Sequence, residues 1–439
     1  MHIPDGYLSP IISVGMGTVT VPAWTVATRR VQAALTNRTV PLLAVFAAMS
    51  FTIMMFNVPV PGGTTAHGVG GTLIAIVLGP WAAVIAVSVA LIIQALFFGD
   101  GGVLAIFANC LNMAIILPFV GYGTYRLLAG RSPTLSSRRV WAAGIGAYVG
   151  ITAAALTVGI ELGIQPILFS QDGHALYSPY GLAEAIPAML AAHAFGASIV
   201  EALITAFGLA YLQDRHPEYL AAGRRILTGG PAGDKSPASE APVGRSLRPR
   251  PSWRRLGGVV IVAGALLVAA GFATGGGDPG HAFGADWAAV DWPSVATMLL
   301  VVAVIGVVLV PLAWFALPRP VRGIGTAFVV AAILAPLGLI APGFAYGEGS
   351  TEDVQAAFGY VPQGLRDLSG IFSAPLAGYN LPLPFFSDAD ASLWQQGVGY
   401  ELAGFIGILL LGATIYGLAW LARRAAGGSS AVARSDGIQ

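Results

Sequence analysis

The chain has 439 residues, of which 56% are hydrophobic and only 10% charged, with a net charge of +1. A water-soluble domain carries about 25% charged residues, so a chain this long and this poor in charge cannot cover a globular surface and is solvated by lipid instead. The balanced charge gives no footprint for nucleic acid, and the single cysteine, Cys110, excludes internal disulfides and cysteine-rich metal sites.

The chain opens Met1-His2-Ile3-Pro4-Asp5-Gly6, acidic and turn-like. A cleavable secretion signal begins with a basic segment before its apolar stretch, so none is expected here. His2 is bulky, which predicts that Met1 and its free amine are kept. Apolar segments then follow at 8–28, 40–58, 68–79, 81–98, 103–125, 140–163, 183–212, 256–273, 294–317, 324–345 and 398–422. All but the third approach or exceed the roughly 20 residues that a helix needs to cross a bilayer. The third and fourth are short and separated by Gly79-Pro80, so they form either two spans or one broken element.

Basic residues concentrate on the cytoplasmic side of membrane proteins. With the N-terminus outside, the loops carrying Arg29, Arg30 and Arg38, then Arg126, Arg131, Arg138 and Arg139, face inward. So do the stretch Arg215 to Arg255, the pair Arg319 and Arg322, and the tail with Arg423, Arg424 and Arg434. Of the 22 basic residues only Arg366 falls outside. This predicts a multi-pass inner-membrane (plasma-membrane) protein with its C-terminus in the cytoplasm. Residues 214–255 are rich in Arg, Pro, Gly and Ser without apolar period and read as a cytoplasmic linker. They divide a seven-span unit, 1–213, from a four-span unit, 256–425, with outer loops at 274–293 and 346–397, and 426–439 as a tail. The expected fold is an all-α polytopic membrane protein.

The N-terminus is a candidate chelator. The Met1 amine, the deprotonated His2 amide and the His2 imidazole form two fused rings in one plane, and planar nitrogen ligation suits Ni²⁺ or Cu²⁺ and can hold Co²⁺. His67, in Ala66-His67-Gly68, returns to the same face by the charge count and supplies a fourth nitrogen. The bland alternative is an accidental His2 and an interfacial loop histidine. Asn109 and Asn112, three residues apart, share a helical face. With Asp5 and Asp100 they are candidates for hydrogen bonds that orient the ligating imidazoles, and the alternative is interhelical bonding. His193 and Glu201 are the strongly polar residues of the seventh span, with a functional or a packing role equally open. His174 with Asp172 is an outer surface ligand or a solvated loop. Gly229 to Ser236 nearly spells a phosphate loop, but Asp234 replaces the second glycine and no strand precedes it, so ATPase activity is rejected. No catalytic triad or H-E-x-x-H motif appears, so no enzyme is expected.

Met1 to Pro10 resembles the opening of the CbiM/NikM family, the substrate-capture components of cobalt and nickel energy-coupling factor (ECF) transporters. The likeness continues through Ala66-His67-Gly68-Val69-Gly70-Gly71 and Phe98-Gly99-Asp100-Gly101-Gly102 with Asn109 and Asn112. It ends in Ala194-Phe195-Gly196 and Glu201 to Thr205, and covers about residues 1–213. The resemblance implies a seven-span ECF-type bundle with the N-terminus outside and a four-nitrogen site from Met1, His2 and His67. It implies nickel or cobalt as transported ligand rather than cofactor, and separate partners: a membrane coupling subunit similar to CbiQ/NikQ and ATPase subunits similar to CbiO/NikO. Tyr360 to Arg366, Ser373 to Tyr379 and Gly404 to Gly407 resemble the NikN or PDGLE-type accessory domain, although Gln363 and Arg366 replace the acidic residues of its motif. A rival of the same class is an ECF component for an organic vitamin, disfavoured by His2. Rivals of other classes are an intramembrane metal-dependent enzyme and a membrane assembly protein.

Overall fold

The computed structural model describes residues 1–33, 39–60, 64–220, 292–316, 347–387 and 391–435, with a few single positions between 326 and 339. A nine-residue strap leads into α1 (Pro10–Ala33). α2 covers Thr39–Met55, ending short of the predicted residue 58. Pro59 and Pro61 follow closely, and the residue before a proline is disfavoured in helix. The chain instead forms a small hairpin of β1 (Val58–Val60) and β2 (Thr64–Ala66), which the apolar pattern does not reveal.

The third and fourth apolar segments are two helices, α3 (Gly71–Leu78) and α4 (Pro80–Ile93). They turn on Gly79, whose φ of 96° favours glycine, and Pro80 takes the first position of the new helix. Gly71 and Val87 lie equally far from that turn and face each other: a Cβ on Gly71 would stand 3.8 Å from Val87 Cγ2. The pair is therefore an antiparallel hairpin. α3 is only 8 residues long, which at about 1.5 Å per residue is far below the ~30 Å of a hydrocarbon core. Its first turn is buried, and residues 64–70 lead into it.

A π-turn, Gln94–Phe98, ends α4. The next span is α5 (Ile106–Asn109), a π-turn Cys110–Ile116 and α6 (Leu117–Ala129). α7 (Ser137–Gly163), the short α8 (Gln165–Leu168) and a two-residue hairpin at 170–175 follow. α9 (Leu182–Ala192), a π-turn His193–Ala197 and α10 (Ser198–Arg215) make the seventh apolar segment.

In the C-terminal part, α11 (Trp292–Ala316) matches the predicted span 294–317. The expected outer loop 346–397 holds short helices, α12 (Thr351–Phe358), α13 (Gln363–Leu368) and α14 (Pro384–Ser387). The last predicted span, 398–422, is the middle of α15 (Leu393–Ser435), which runs on through most of the expected tail. Predicted spans 256–273 and 324–345, the loop 274–293 and all but the first residues of the linker lie outside the described residues, single positions excepted. Among the described residues, seven helices are long and apolar enough to cross a membrane.

Small residues bring the helices together, as expected where lipid removes the hydrophobic drive for association. At the α6–α7 crossing, a Cβ on Gly150 would lie 2.6 Å from Leu117 O, and one on Gly146 2.6 Å from Gly121 O. α15 packs along α2, where Tyr400 Oη donates to Met55 O at 2.8 Å. Arginines gather at one end: Arg30 lies over Trp81, and Arg139 donates to Tyr125 Oη at 2.8 Å. The N-terminal strap lies at the opposite end.

Replacing Gly150 by valine should force α6 and α7 apart. Overpacking of this kind costs about 1–3 kcal/mol, so thermal unfolding in detergent should move down by roughly 2–10 °C. An unchanged midpoint would mean that the crossing is looser than it stands.

Candidate metal centre

A non-helical strap inside a helical bundle must pair its backbone with side chains. Ile3 N donates to Asn109 Oδ1 at 2.8 Å, and Ile3 O accepts from Asn109 Nδ2 at 3.1 Å and from Gly102 N at 2.8 Å. Asp5 accepts from Val103 N at 3.1 Å and Leu104 N at 2.8 Å. Ser9 N donates to Gln165 Oε1, and Ser178 N to Tyr7 O. Ile3 and Tyr7 are each only 1% exposed, so the strap is core rather than tail.

This clamp carries the first two residues into the wall of a cavity of about 60 Å³, which is bordered also by His67, Asp100, His193 and Glu348. The Met1 amine lies 3.5 Å from Glu348 Oε1. His2 Nδ1 lies 3.0 Å from Asp100 Oδ1, while its Nε2 is buried without a hydrogen-bond partner among the described residues. The other Asp100 oxygen accepts from Tyr379 Oη at 2.6 Å and Gln94 Nε2 at 3.1 Å, so the carboxylate that steers His2 is itself held from the C-terminal part. The His2 and His67 rings are 5.0 Å apart and inclined by 30°.

His67 Nδ1 is 2.9 Å from Gly68 O. A carbonyl only accepts, so Nδ1 carries the proton and Nε2 keeps its lone pair, the arrangement usual in a metal-ligating histidine. Burial, with the positive amine nearby, pushes both His2 and His67 down to about 3. Both are neutral at physiological pH, the form that ligates. Burial raises Glu348 to about 7 and also raises Asp100.

The depth of His67 is set from α10. Val69 N and Gly70 N both donate to Glu201 Oε2 at 2.7 Å. Gly70, which precedes α3, offers no side-chain cap, so Glu201 supplies one from a different helix. Ser50 Oγ adds a bond to Val69 O at 2.7 Å.

The structure thus brings Met1, His2 and His67 to one cavity, with Asp100 on His2 and with Asp5 and Asn109 on the strap. Asn112 goes elsewhere: its Nδ2 donates to Glu161 Oε2 at 2.7 Å. Of the two readings open for the asparagines, Asn112 makes the interhelical bond, whereas Asn109 grips the main chain of the strap. His174 packs against Tyr360 with ring centres 4.4 Å apart and planes tilted by 55°, and His216 pairs with Glu218. Sequence reasoning missed Glu348, Tyr379 and Gln94; Tyr379 ends a segment that resembles the accessory domain, but nothing there pointed to Asp100. It left His193 undecided, although an ionisable residue inside a span was the available sign. Among the described residues no group of three His, Cys, Asp or Glu side chains is placed to hold a metal. A site of four donors here has to enlist terminal and main-chain nitrogen.

Residues 2–219 match the family model described as the CbiM cobalt uptake substrate-specific transmembrane region. The chain is 37% identical to the fused nickel transport protein NikMN of Rhodobacter capsulatus, over 97% of this chain and 100% of that protein. It is 53% identical to the probable fused nickel transport protein LarMN of Lactiplantibacillus plantarum, over 47% of this chain and 62% of that one. A putative metal transport protein of Methanocaldococcus jannaschii is 46% identical over 52% of this chain and 99% of its own length. A crystal structure titled as a truncated transition metal transporter shares 54% identity over 49% of this chain and all of its own, with a TM-score of 0.46. The match along nearly the whole length places the chain in the CbiM/NikM family, in the form in which a second domain is fused behind the CbiM region.

Proposed function

We propose that residues 1–213 capture Ni²⁺ or Co²⁺ from outside the cell in a square-planar site of four nitrogens: the Met1 amine, the His2 amide and imidazole, and the His67 imidazole. The observation that carries this reading is the convergence of the terminal amine, His2 and His67 on one small, nearly closed cavity. Names of relatives that transport nickel or metal support the choice of cargo. Planar nitrogen donors favour a d⁸ or related ion over Zn²⁺, which prefers a tetrahedron. Chelation uses His2 Nδ1, the atom that closes a six-membered ring with the His2 amide. At that atom the metal replaces the Asp100 carboxylate.

Three of the four donors lie on the strap, which its clamp through Ile3 and Asp5 keeps in place. Displacing the strap breaks three bonds at once, a route to release from a tight site. Residues 256–425 act as an accessory domain whose outer segment covers the cavity through Glu348 and Tyr379. Occlusion falls to the loop 61–68, of which residues 61–63 lie outside the described ones. The energy comes from ATP hydrolysed in separate subunits, passed through a membrane coupling subunit. The N-terminus faces outward, opposite the arginine-rich end.

Extending the N-terminus by one residue should abolish nickel and cobalt binding in calorimetry, because the amine and the His2 amide would no longer share a chelate ring. Retained full affinity would sink the four-nitrogen site. Glu201→Ala removes the acceptor that holds the His67 loop and should weaken nickel binding about 10- to 100-fold. Glu201→Gln keeps one oxygen, and since both amides donate to a single carboxylate oxygen it should lose less. Equal losses in the two variants would show that the cap does not position His67.

A further inference from the structure

Beyond the strap and the His67 loop, the cavity has a third nitrogen-bearing wall. His193 borders it from a membrane-spanning helix and is only 6% exposed. Its Nδ1 is 2.8 Å from Met189 O. As with His67, the carbonyl partner fixes the proton on Nδ1 and leaves the Nε2 lone pair unused by that bond. His193 is also the first residue of the π-turn that separates α9 from α10. Such a turn inserts an extra residue into the helix and recurs at functional sites. A cavity of about 60 Å³ holds only a few water molecules, so an ion inside it is within reach of every wall.

A planar four-nitrogen ion leaves both axial faces open. Ligand exchange at such an ion proceeds by addition of a fifth donor before one of the four leaves. A tight chelate with no fifth donor at hand loads and unloads slowly. Among the described histidines, His2 and His67 are occupied in the plane, and His174 and His216 are engaged elsewhere.

We propose that His193 is a transient fifth ligand that speeds loading and release of the metal. The inference rests on the four-nitrogen reading. In the step, His193 Nε2 donates its lone pair to the ion, a fifth metal–nitrogen bond forms, and one in-plane bond breaks with the lone pair returning to its nitrogen. No electron is transferred; when the bond that breaks is the one to the deprotonated His2 amide, that nitrogen takes a proton from water, and loading gives it back. Release runs this step from the loaded site as the strap is displaced, and loading runs it in reverse. The packing alternative gives His193 only its bond to Met189 O.

The test uses the full chain in detergent, loaded with radiolabelled Ni²⁺ and chased with excess unlabelled Ni²⁺. In His193→Ala the association and dissociation rates should both fall by about tenfold or more, so that their ratio stays within about threefold of the unmodified chain. The visible absorption of planar nickel should be unchanged, and millimolar imidazole should restore the lost rates in the variant. His193→Gln serves if the alanine variant does not fold, with the same rates expected. Unchanged exchange rates, or lost rates that imidazole fails to restore, overturn the proposal. So does a loss of affinity with an altered spectrum, which would make His193 a permanent ligand. Failure of the four-nitrogen reading is separate: the unmodified chain would then lack the planar absorption.

Discussion

Burying a charged chain terminus inside a membrane bundle is costly unless every group along it is paired. The strap meets that condition. Asn109 grips Ile3 from both sides, Asp5 accepts two amides at the start of the following span, and Gln165 receives Ser9. Only because these bonds hold the strap at this depth do the amine and His2 border the cavity. Remove the pairing, and the first residues return to water, where a charged amine is better solvated.

A second constraint shapes the opposite wall. α3 is far too short to span, so the loop above it must run through the bundle, where unpaired backbone is expensive. The carboxylate of Glu201 takes the amides at the head of α3. That cap places His67 within 5.0 Å of His2, ring centre to ring centre. The first wall comes from the opening residues and the second from His67, which is capped from Glu201 near the other end of the CbiM region.

The C-terminal part adds a third layer. Glu348 meets the amine, Tyr7 Oη donates to Gly349 O, and Tyr379 holds Asp100. Leu376 N donates to Phe97 O and Gly364 N to Leu176 O, so main-chain bonds add to these side-chain contacts. Around residues 360–379 the sequence shows the likeness to the accessory domain but not these contacts. Main-chain contacts leave little trace in residue type, and a glutamate in a polar loop is what water alone would also select.

Hydropathy and charge were enough to read an all-helical membrane protein, most of its spans, and the candidate donors Met1, His2 and His67. Lipid imposes those patterns on each segment independently, so a local reading recovers them. The break at Gly79 was visible in the sequence, but its outcome as an antiparallel hairpin was not, since that depends on what α3 and α4 pack against. Asn109 and Asn112 looked equivalent at a spacing of three, and a π-turn sends them to different partners. The roles of Glu201, Glu348 and Tyr379 were settled only by tertiary structure. Each acts on a residue more than a hundred positions away, and hydrogen bonds across such distances follow from how helices pack, not from the order of residues along the chain.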